Sequence, residues 1–98
     1  MAVGDVFSAK ASKAQNEYLD IQPAAGQECT IHNIYYEAEC ALFLSDGTTE
    51  FQFNTDATQG GMFGYCFHVT NTLYLRIKQL NAAAKQVGYD GIVTKAAS

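Results

Sequence analysis

Two runs dominate the sequence, Cys29-Thr-Ile-His-Asn-Ile-Tyr-Tyr36 and Cys40-Ala-Leu-Phe-Leu44. Residues that are β-branched or aromatic fill much of both runs, and neither contains Gly or Pro, which is typical of β-strands. A short acidic connector, residues 37–39, separates them. In the first run, both alternating sets of side chains include apolar groups, so we expect this strand to be covered on both faces or to lie at a subunit contact. The two runs therefore predict consecutive strands near the middle of a sheet.

The clearest turn signal follows these runs as Ser45-Asp-Gly-Thr48. The Asp-Gly pair suits a tight hairpin turn in which both central residues have positive φ. The partner strand is predicted over residues 49–54, where apolar and polar residues alternate. This alternation places Phe51 and Phe53 on the inward face.

Further short strands are predicted on both sides of this hairpin. The segment 18–21 precedes a turn at Pro23, and a polar, glycine-rich loop over residues 55–61 leads into a strand over 62–69. A strand over 73–78 follows, with Leu73, Leu75 and Ile77 facing inward and Tyr74, Arg76 and Lys78 facing outward. The last strands are predicted over 85–89 and 92–94, separated by an Asp90-Gly91 turn. Seven or eight short strands without a convincing helix predict an all-β, antiparallel β-sandwich of jelly-roll type.

The length of 98 residues predicts one domain with a modest core. Residues 1–16 are interpreted as an N-terminal arm, residues 17–95 as the sandwich domain, and residues 96–98 as a loose C-terminal tail. The arm contains one apolar cluster, formed by Val3, Val6 and Phe7. It is expected either to add a strand to its own sheet or to a neighbouring subunit, or to be a frayed terminus.

Charge and hydropathy argue against two classes of partner. The formal net charge is -4 and the six Lys and Arg residues are scattered, so no basic stripe is available for a phosphate backbone. No apolar run approaches the roughly 18 residues of a membrane span, and the first residues do not resemble a signal peptide. We therefore expect no nucleic-acid partner, no membrane partner, and synthesis in the cytoplasm.

The residue types that carry chemistry are present without the spacing that chemistry requires. His32 and His68 lie in predicted strands beside cysteines, and Cys66 and His68 are only two residues apart on one strand, unlike the turn-borne ligand pairs of structural zinc sites. No nucleophile elbow accompanies the cysteines, which are interpreted mainly as buried thiols, with a bridge from Cys29 to Cys40 or Cys66 as the alternative. The sequence predicts no enzyme activity, no metal and no cofactor.

Aromatic residues exceed what one small sandwich core needs. They either cap the open ends of the core or form a flat apolar surface for partners. The best interface candidates lie beside Gly60, Gly61 and Gly64. Together with the arm, the predicted interface comprises Val3, Val6, Phe7, Met62, Phe63 and Tyr65.

Several motifs together resemble those of small tailed-phage virion proteins of β-sandwich type. They are Leu19-Asp-Ile-Gln-Pro-Ala-Ala-Gly26, Thr30-Ile-His-Asn-Ile-Tyr-Tyr36, Leu44-Ser-Asp-Gly-Thr48, Phe67-His-Val-Thr-Asn71 and Gly88-Tyr-Asp-Gly91. These are turn and strand signatures, and the likeness spans about residues 18 to 95. Among such proteins, capsid decoration or cement subunits are the most similar in size, and they often form trimers.

The resemblance implies a non-enzymatic, homotrimeric cement protein on the outside of a capsid, where it bridges neighbouring copies of the major capsid protein. Its location would then be the virion surface. Two alternatives stay open. One is a receptor- or carbohydrate-binding module of a phage fibre or tail, using Tyr and Asn side chains around residues 55–61. The other is a structural ring of a tail or connector.

Overall fold

The computed structural model describes residues 1–97, and in this range it contains nine strands and no helix. The strands are β1 (Val6–Lys13), β2 (Tyr18–Ile21), β3 (Glu28–Tyr36), β4 (Cys40–Ser45), β5 (Glu50–Asp56), β6 (Gly60–Met62), β7 (Phe67–Thr70), β8 (Tyr74–Gln79) and β9 (Lys85–Lys95). All pairings are antiparallel. The predicted all-β, antiparallel sandwich is confirmed, with nine strands instead of seven or eight.

Each strand belongs to one of two sheets. Sheet I has the order β1-β9-β3, with β6 and β7 pairing successively along the free edge of β3, and sheet II has the order β2-β8-β4-β5. The core lies between the sheets because inward-facing side chains of both sheets meet there. Its most deeply buried apolar members are Ile21, Cys29, Ile31, Ile34, Cys40, Val69, Ile77 and Val93.

A bulge at His32 explains why both alternating sets of β3 contain apolar residues. The register with β9 shifts between Ile31 and Asn33, so one extra residue is inserted at this point. Cys29 and Ile31 face the core before the bulge, and Ile34 and Tyr36 face it after the bulge. The expectation that β3 is covered on both faces within its own chain was therefore wrong, since the inward set changes parity within the strand. The alternative, that β3 lies at a subunit contact, stays a prediction.

The same bulge divides the strand predicted over residues 62–69 into β6 and β7. β7 pairs with the first half of β3 and β6 with the second half, and the loop 63–66 lies opposite the bulge. The Tyr65 amide donates to the His32 carbonyl oxygen at 2.9 Å, and the His32 ring Nδ1 donates to the Tyr65 carbonyl oxygen at 3.1 Å. The loop therefore continues the hydrogen bonding along this edge of β3 between β6 and β7.

Strand β9 is continuous over eleven residues, so the predicted turn at Asp90-Gly91 was wrong. Gly91 is needed for close packing instead of turning, because a Cβ atom at this position would overlap the carbonyl oxygen of Thr30 on β3. The glycine therefore lets β9 and β3 approach each other beside the bulge.

The β4–β5 hairpin forms at the predicted place with different turn geometry. Its loop spans residues 46–49, and within it only Gly47 has positive φ, at 89°. The Asp46 carboxylate accepts hydrogen bonds from the backbone amides of Thr48 and Thr49, at 2.9 and 2.7 Å. These bonds, led by the one from Thr49, lower the pKa of Asp46. Asp46 thus stabilises the turn through the hydrogen bonds of its side chain and not by adopting a positive φ.

Most of the N-terminal arm belongs to the sheet. Residues 6–13 form β1, which pairs with β9 in one continuous register from Val6 opposite Ile92 to Lys13 opposite Lys85. Gly4 and Asp5 extend this pairing through backbone hydrogen bonds to Val93. Of the three expectations for the arm, the structure shows the first, a strand added to its own sheet. Of the predicted tail, Ala96 and Ala97 lie outside any strand and Ser98 lies outside the described residues.

The strand predicted over residues 73–78 begins one residue later, and two of its assignments were wrong. Leu73 is exposed in the turn before β8, whereas Tyr74 is buried near Gly47. Leu75 and Ile77 face the core as expected. The start of β8 is set by pairing with Ser45 at the end of β4, which leaves Leu73 outside the ladder.

Candidate interaction surfaces

An apolar groove opens where the free edges of the two sheets face each other. It has a volume of about 350 Å³ and lies between β5 of sheet II and β7 of sheet I. We call it the corner groove. Its lining residues are Leu44, Phe51, Phe53, Cys66, Phe67, His68, Leu73 and Leu75.

The aromatic side chains of β5 face the interior side of the sandwich but remain uncovered. The register with β4 shifts between Leu42 and Phe43 and leaves Phe53 at a bulge. Its ring packs against Phe67 of the other sheet, with 5.9 Å between centroids. Phe51 lines the same groove and is 60% exposed. The predicted inward direction of Phe51 and Phe53 is consistent with these contacts, but both residues are exposed because β5 is an edge strand with no neighbour beyond it.

Two features fix the geometry around the corner groove. The Tyr65 ring stacks on Phe67 with an interplanar angle of 1° and a centroid distance of 5.4 Å. At the far end of β5, the Tyr36 hydroxyl donates to the Asp56 carboxylate at 2.6 Å. This bond lowers the pKa of Asp56, and burial together with the same bond raises the pKa of Tyr36. The far end of the edge strand is therefore tied to sheet I.

The outer face of sheet I carries a second set of aromatic and polar side chains. The Tyr35 hydroxyl and the Asn33 side-chain amide both donate to the Asp90 carboxylate, the latter at 2.8 Å. The bond to Asp90 is the main reason that the pKa of Tyr35 is raised. Phe63 packs beside Tyr35 and over Gly61, where a Cβ atom would lie 2.6 Å from the Phe63 ring. This face is therefore ordered by cross-strand contacts.

The outer face of sheet II is polar by comparison. Arg76 donates from Nε to Asp20 at 2.6 Å and from a terminal nitrogen to Glu50 at 3.3 Å. Its guanidinium also lies 3.8 Å from the centroid of the Tyr18 ring. Charges paired across three strands, together with a covered aromatic ring, are the features of a solvated surface.

The six predicted interface residues fall into two groups. Val3, Val6, Phe63 and Tyr65 are exposed, and Val6 pairs directly with the half-exposed Ile92 across the β1–β9 ladder. The other two, Phe7 and Met62, pack against the core, Phe7 beside Tyr89 at 5.6 Å. Sequence reasoning missed the exposed members of the corner groove, because an alternating pattern gives the direction of a side chain and not its coverage.

The residues considered for chemistry lie apart. The His68 ring shares a hydrogen bond with the Thr30 hydroxyl at 3.2 Å, while His32 is engaged with the Tyr65 carbonyl group. All three cysteines are free thiols. Cys29 and Cys40 are buried as expected, but Cys66 is exposed, so its interpretation as a buried thiol was wrong. Within residues 1–97, no group of three or more His, Cys, Asp or Glu side chains is arranged to hold a metal ion.

Comparison of the sequence with protein-family models and with curated proteins finds no match. In the part of the chain that the structure describes, no helix is long and apolar enough to cross a membrane. Two surfaces carry exposed aromatic side chains, the corner groove and the outer face of sheet I.

Proposed function

We infer that this protein is a non-enzymatic structural subunit of a phage virion, which decorates and cements the outside of the capsid as a homotrimer. The observation that carries this proposal is the corner groove. Phe51 and Leu73 leave much of their apolar surface in water there. Monomeric proteins rarely expose contiguous apolar surface of this kind, whereas interfaces between subunits bury it.

Each exposed surface is assigned one partner in this proposal. The corner groove packs against a sister subunit, because its aromatic side chains are already fixed by Phe53–Phe67 and Tyr65–Phe67 contacts and lose little conformational freedom on binding. The exposed end of the arm, with Met1, Val3 and Val6, contacts the major capsid protein. A standard interface buries about 800 Å² per partner, so several such contacts around a trimer could stabilise a shell through burial alone.

One further property supports a position outside the shell. The formal net charge of -4 disfavours contact with packaged nucleic acid.

The strand order favours the jelly-roll description of the fold, which we include in the proposal. Each sheet then has four positions, with β6 and β7 sharing one position beside β3.

The first experiment is the solution mass by light scattering coupled to size exclusion. The proposal predicts a particle with three times the 10.7 kDa mass of the chain. A monomer at micromolar concentration would contradict the trimer. A larger cyclic particle would contradict it too and would instead support the tail or connector ring.

A matched pair of variants tests whether the corner groove holds the trimer together. Phe51→Gln combined with Leu73→Gln places amides in the groove and should weaken association by about tenfold or more. Ile92→Gln makes a similar change on the outer face of sheet I, where no sister subunit is proposed to bind. Equal masses for all three proteins would remove the groove from the interface.

Capsid binding is tested with a deletion that the structure makes specific. Removing residues 1–3 takes away Met1 and Val3 but keeps the backbone bonds from Gly4 and Asp5 to Val93. A longer deletion would remove part of β1 and confound binding with folding. The shortened protein should remain a trimer and lose occupancy on undecorated capsids, whereas full occupancy would exclude the arm as the anchor.

A further inference from the structure

A recess on the outer face of sheet I has a floor made by a glycine. Gly88 of β9 pairs with Lys10 of β1 on one side and with Tyr35 of β3 on the other. Because Gly88 has no side chain, the surface dips between these two neighbours. The recess has a volume of about 560 Å³, which falls within the size range of small-molecule sites. We call it the Gly88 recess.

Four of the side chains that line the Gly88 recess are the nearest neighbours of its floor on the same face. Lys10 and Tyr35 lie on the neighbouring strands, and Gln86 and Asp90 lie two residues before and after Gly88 on the same face of β9. The floor is closely packed, since a Cβ atom at Gly88 would lie 2.9 Å from the Ala9 carbonyl oxygen. The recess is thus a property of the strand register and not of a loop.

Hydrogen bonds between the walls hold the polar groups in place. Lys10 Nζ donates to Gln86 Oε1 at 2.5 Å, and the Tyr35 hydroxyl donates to Asp90. Asn33 holds the second Asp90 oxygen from outside the recess. A site whose groups are fixed before binding loses less entropy when a ligand arrives.

The walls retain both donors and acceptors for a ligand. Lys10 has further ammonium hydrogens and Gln86 has its amide hydrogens, while Asp90 keeps unused carboxylate lone pairs. Glu37 adds a second carboxylate at the rim, where one oxygen already accepts the Gln86 backbone amide at 3.0 Å. Donors and acceptors therefore meet around a patch of bare backbone and one aromatic ring.

This combination selects against several ligand classes. An anion would meet the carboxylates of Asp90 and Glu37, and a cation would meet Lys10. A purely apolar ligand would leave these polar groups without partners. A hydroxyl group both donates and accepts, so a compound with several hydroxyl groups satisfies both kinds of wall, and Tyr35 offers an apolar ring surface with a polar tip.

We propose that the Gly88 recess binds a small saccharide or a related polyol. The site differs from the loop expected from the sequence, because residues 55–61 are mostly strand and leave only residues 57–59 as a connection. The proposal is independent of the assembly role. The Gly88 recess and the corner groove have no lining residue in common, so either function can fail without the other.

The test is titration of the full-length, isotope-labelled protein with methyl glycosides of glucose, galactose, mannose and N-acetylglucosamine, followed by amide chemical shifts. We expect saturable shifts centred on Gly88, Tyr35 and Asp90 for at least one of these sugars at millimolar concentration. Shifts centred elsewhere, or no saturable shift with any sugar, would overturn the proposal.

The corresponding oligosaccharides are titrated in parallel to identify the source of the ligand. Binding about tenfold tighter than that of the single sugar indicates a glycan chain as the source, and equal binding indicates a free sugar.

Matched lysine variants locate the ligand. Lys10→Met removes a donor from the wall and should weaken sugar binding about tenfold or more. Lys78→Met makes the same change on the outer face of sheet II and should leave binding unchanged. Tyr35→Phe keeps the ring and removes only the hydrogen bond to Asp90. The dispersion of the amide spectrum shows directly whether each variant is folded. Equal binding by the Lys10 and Lys78 variants would overturn the assignment.

Discussion

The sealed centre of the sandwich and its open corner are built from the same kind of sequence. In the centre, Ile31 and Ile34 of β3 face Ile77 of β8 and are fully buried. At the corner, Phe51 and Phe53 of β5 alternate with polar residues along the sequence, yet both are exposed. The two regions differ in their neighbours, because β3 and β8 have strands on both sides while β5 has only β4.

This difference shows that alternation specifies direction and that topology decides burial. On sheet I, the bulge at His32 and the loop 63–66 split the edge opposite β5 into two short strands. A short, interrupted edge cannot cover a seven-residue strand in the other sheet. The corner groove is therefore a consequence of the bulge, and its apolar residues are available to a partner.

The largest expected effect separates the two regions by stability. Ile77→Ala removes a fully buried side chain and should lower the free energy of unfolding by about 4 kcal/mol through lost burial and a residual cavity. Phe51→Ala should cost less than about 1 kcal/mol in the monomer, because its ring is mostly in water. Urea unfolding at low protein concentration measures both values.

Measuring Ile77→Ala and Phe51→Ala at several protein concentrations tests whether the corner groove is an interface. If Phe51 is buried in a trimer, its substitution should become more costly as concentration rises, since association stabilises only the folded chain. The cost of Ile77→Ala should not change in the same way. Equal costs for the two substitutions at low concentration would contradict the distinction between sealed centre and open corner.

A buried polar residue should also contribute to the stability of the sealed centre. Gln79 is buried, and its amide reaches the carbonyl oxygens of Lys13, Asn81 and Ala83 at 2.9, 3.1 and 3.0 Å. Gln79→Glu replaces the donor by a carboxylate that faces these oxygens, and we expect a loss of about 2–3 kcal/mol at neutral pH. Gln86→Glu, on an exposed side chain, is the matched control and should change stability little.

The sequence predicted those parts of the fold that depend on local residue patterns. The strand at residues 18–21 is found with the expected bounds, and the hairpin after β4 is found at Asp46-Gly47. The sandwich follows because short strands with apolar faces have few other ways to bury them. All of these features are encoded within a few neighbouring residues.

The parts that were missed depend on pairing between distant residues. His32 looks like any strand residue, and only the register between β3 and β9 makes it a bulge. Gly88 becomes the floor of a recess only through its register with Lys10 and Tyr35. Gln79 gives no sign of burial in its sequence context. Such features depend on which strands become neighbours, and alternation along one strand cannot supply that information.

The smallest expected effect compares two thiols and appears at alkaline pH. Burial raises the pKa of the Cys40 thiol from 9.0 to about 12, so this thiol stays protonated in the folded chain while it ionises above pH 9 in the unfolded chain. A thiol whose pKa is higher in the folded chain than in the unfolded chain stabilises the folded state. This contribution is complete at pH values below the unfolded pKa and is lost as pH rises from about 9 towards 12. After allowance for screening by solvent, we expect Cys40 to contribute a loss of less than about 1 kcal/mol by pH 10.

The pH dependence of the unfolding free energy between pH 8 and pH 10.5 measures this contribution. Cys40→Ala should lower stability at neutral pH through its small cavity but should flatten the alkaline slope. Cys66→Ala removes an exposed thiol at the corner and should leave the slope unchanged. The slope should not vanish in the Cys40 variant, because burial also raises the pKa of Cys29, and burial with the bond to Asp56 raises that of Tyr36. An identical slope for both alanine variants would show that Cys40 is not sealed from solvent and would place the boundary of the open region further inside the sandwich.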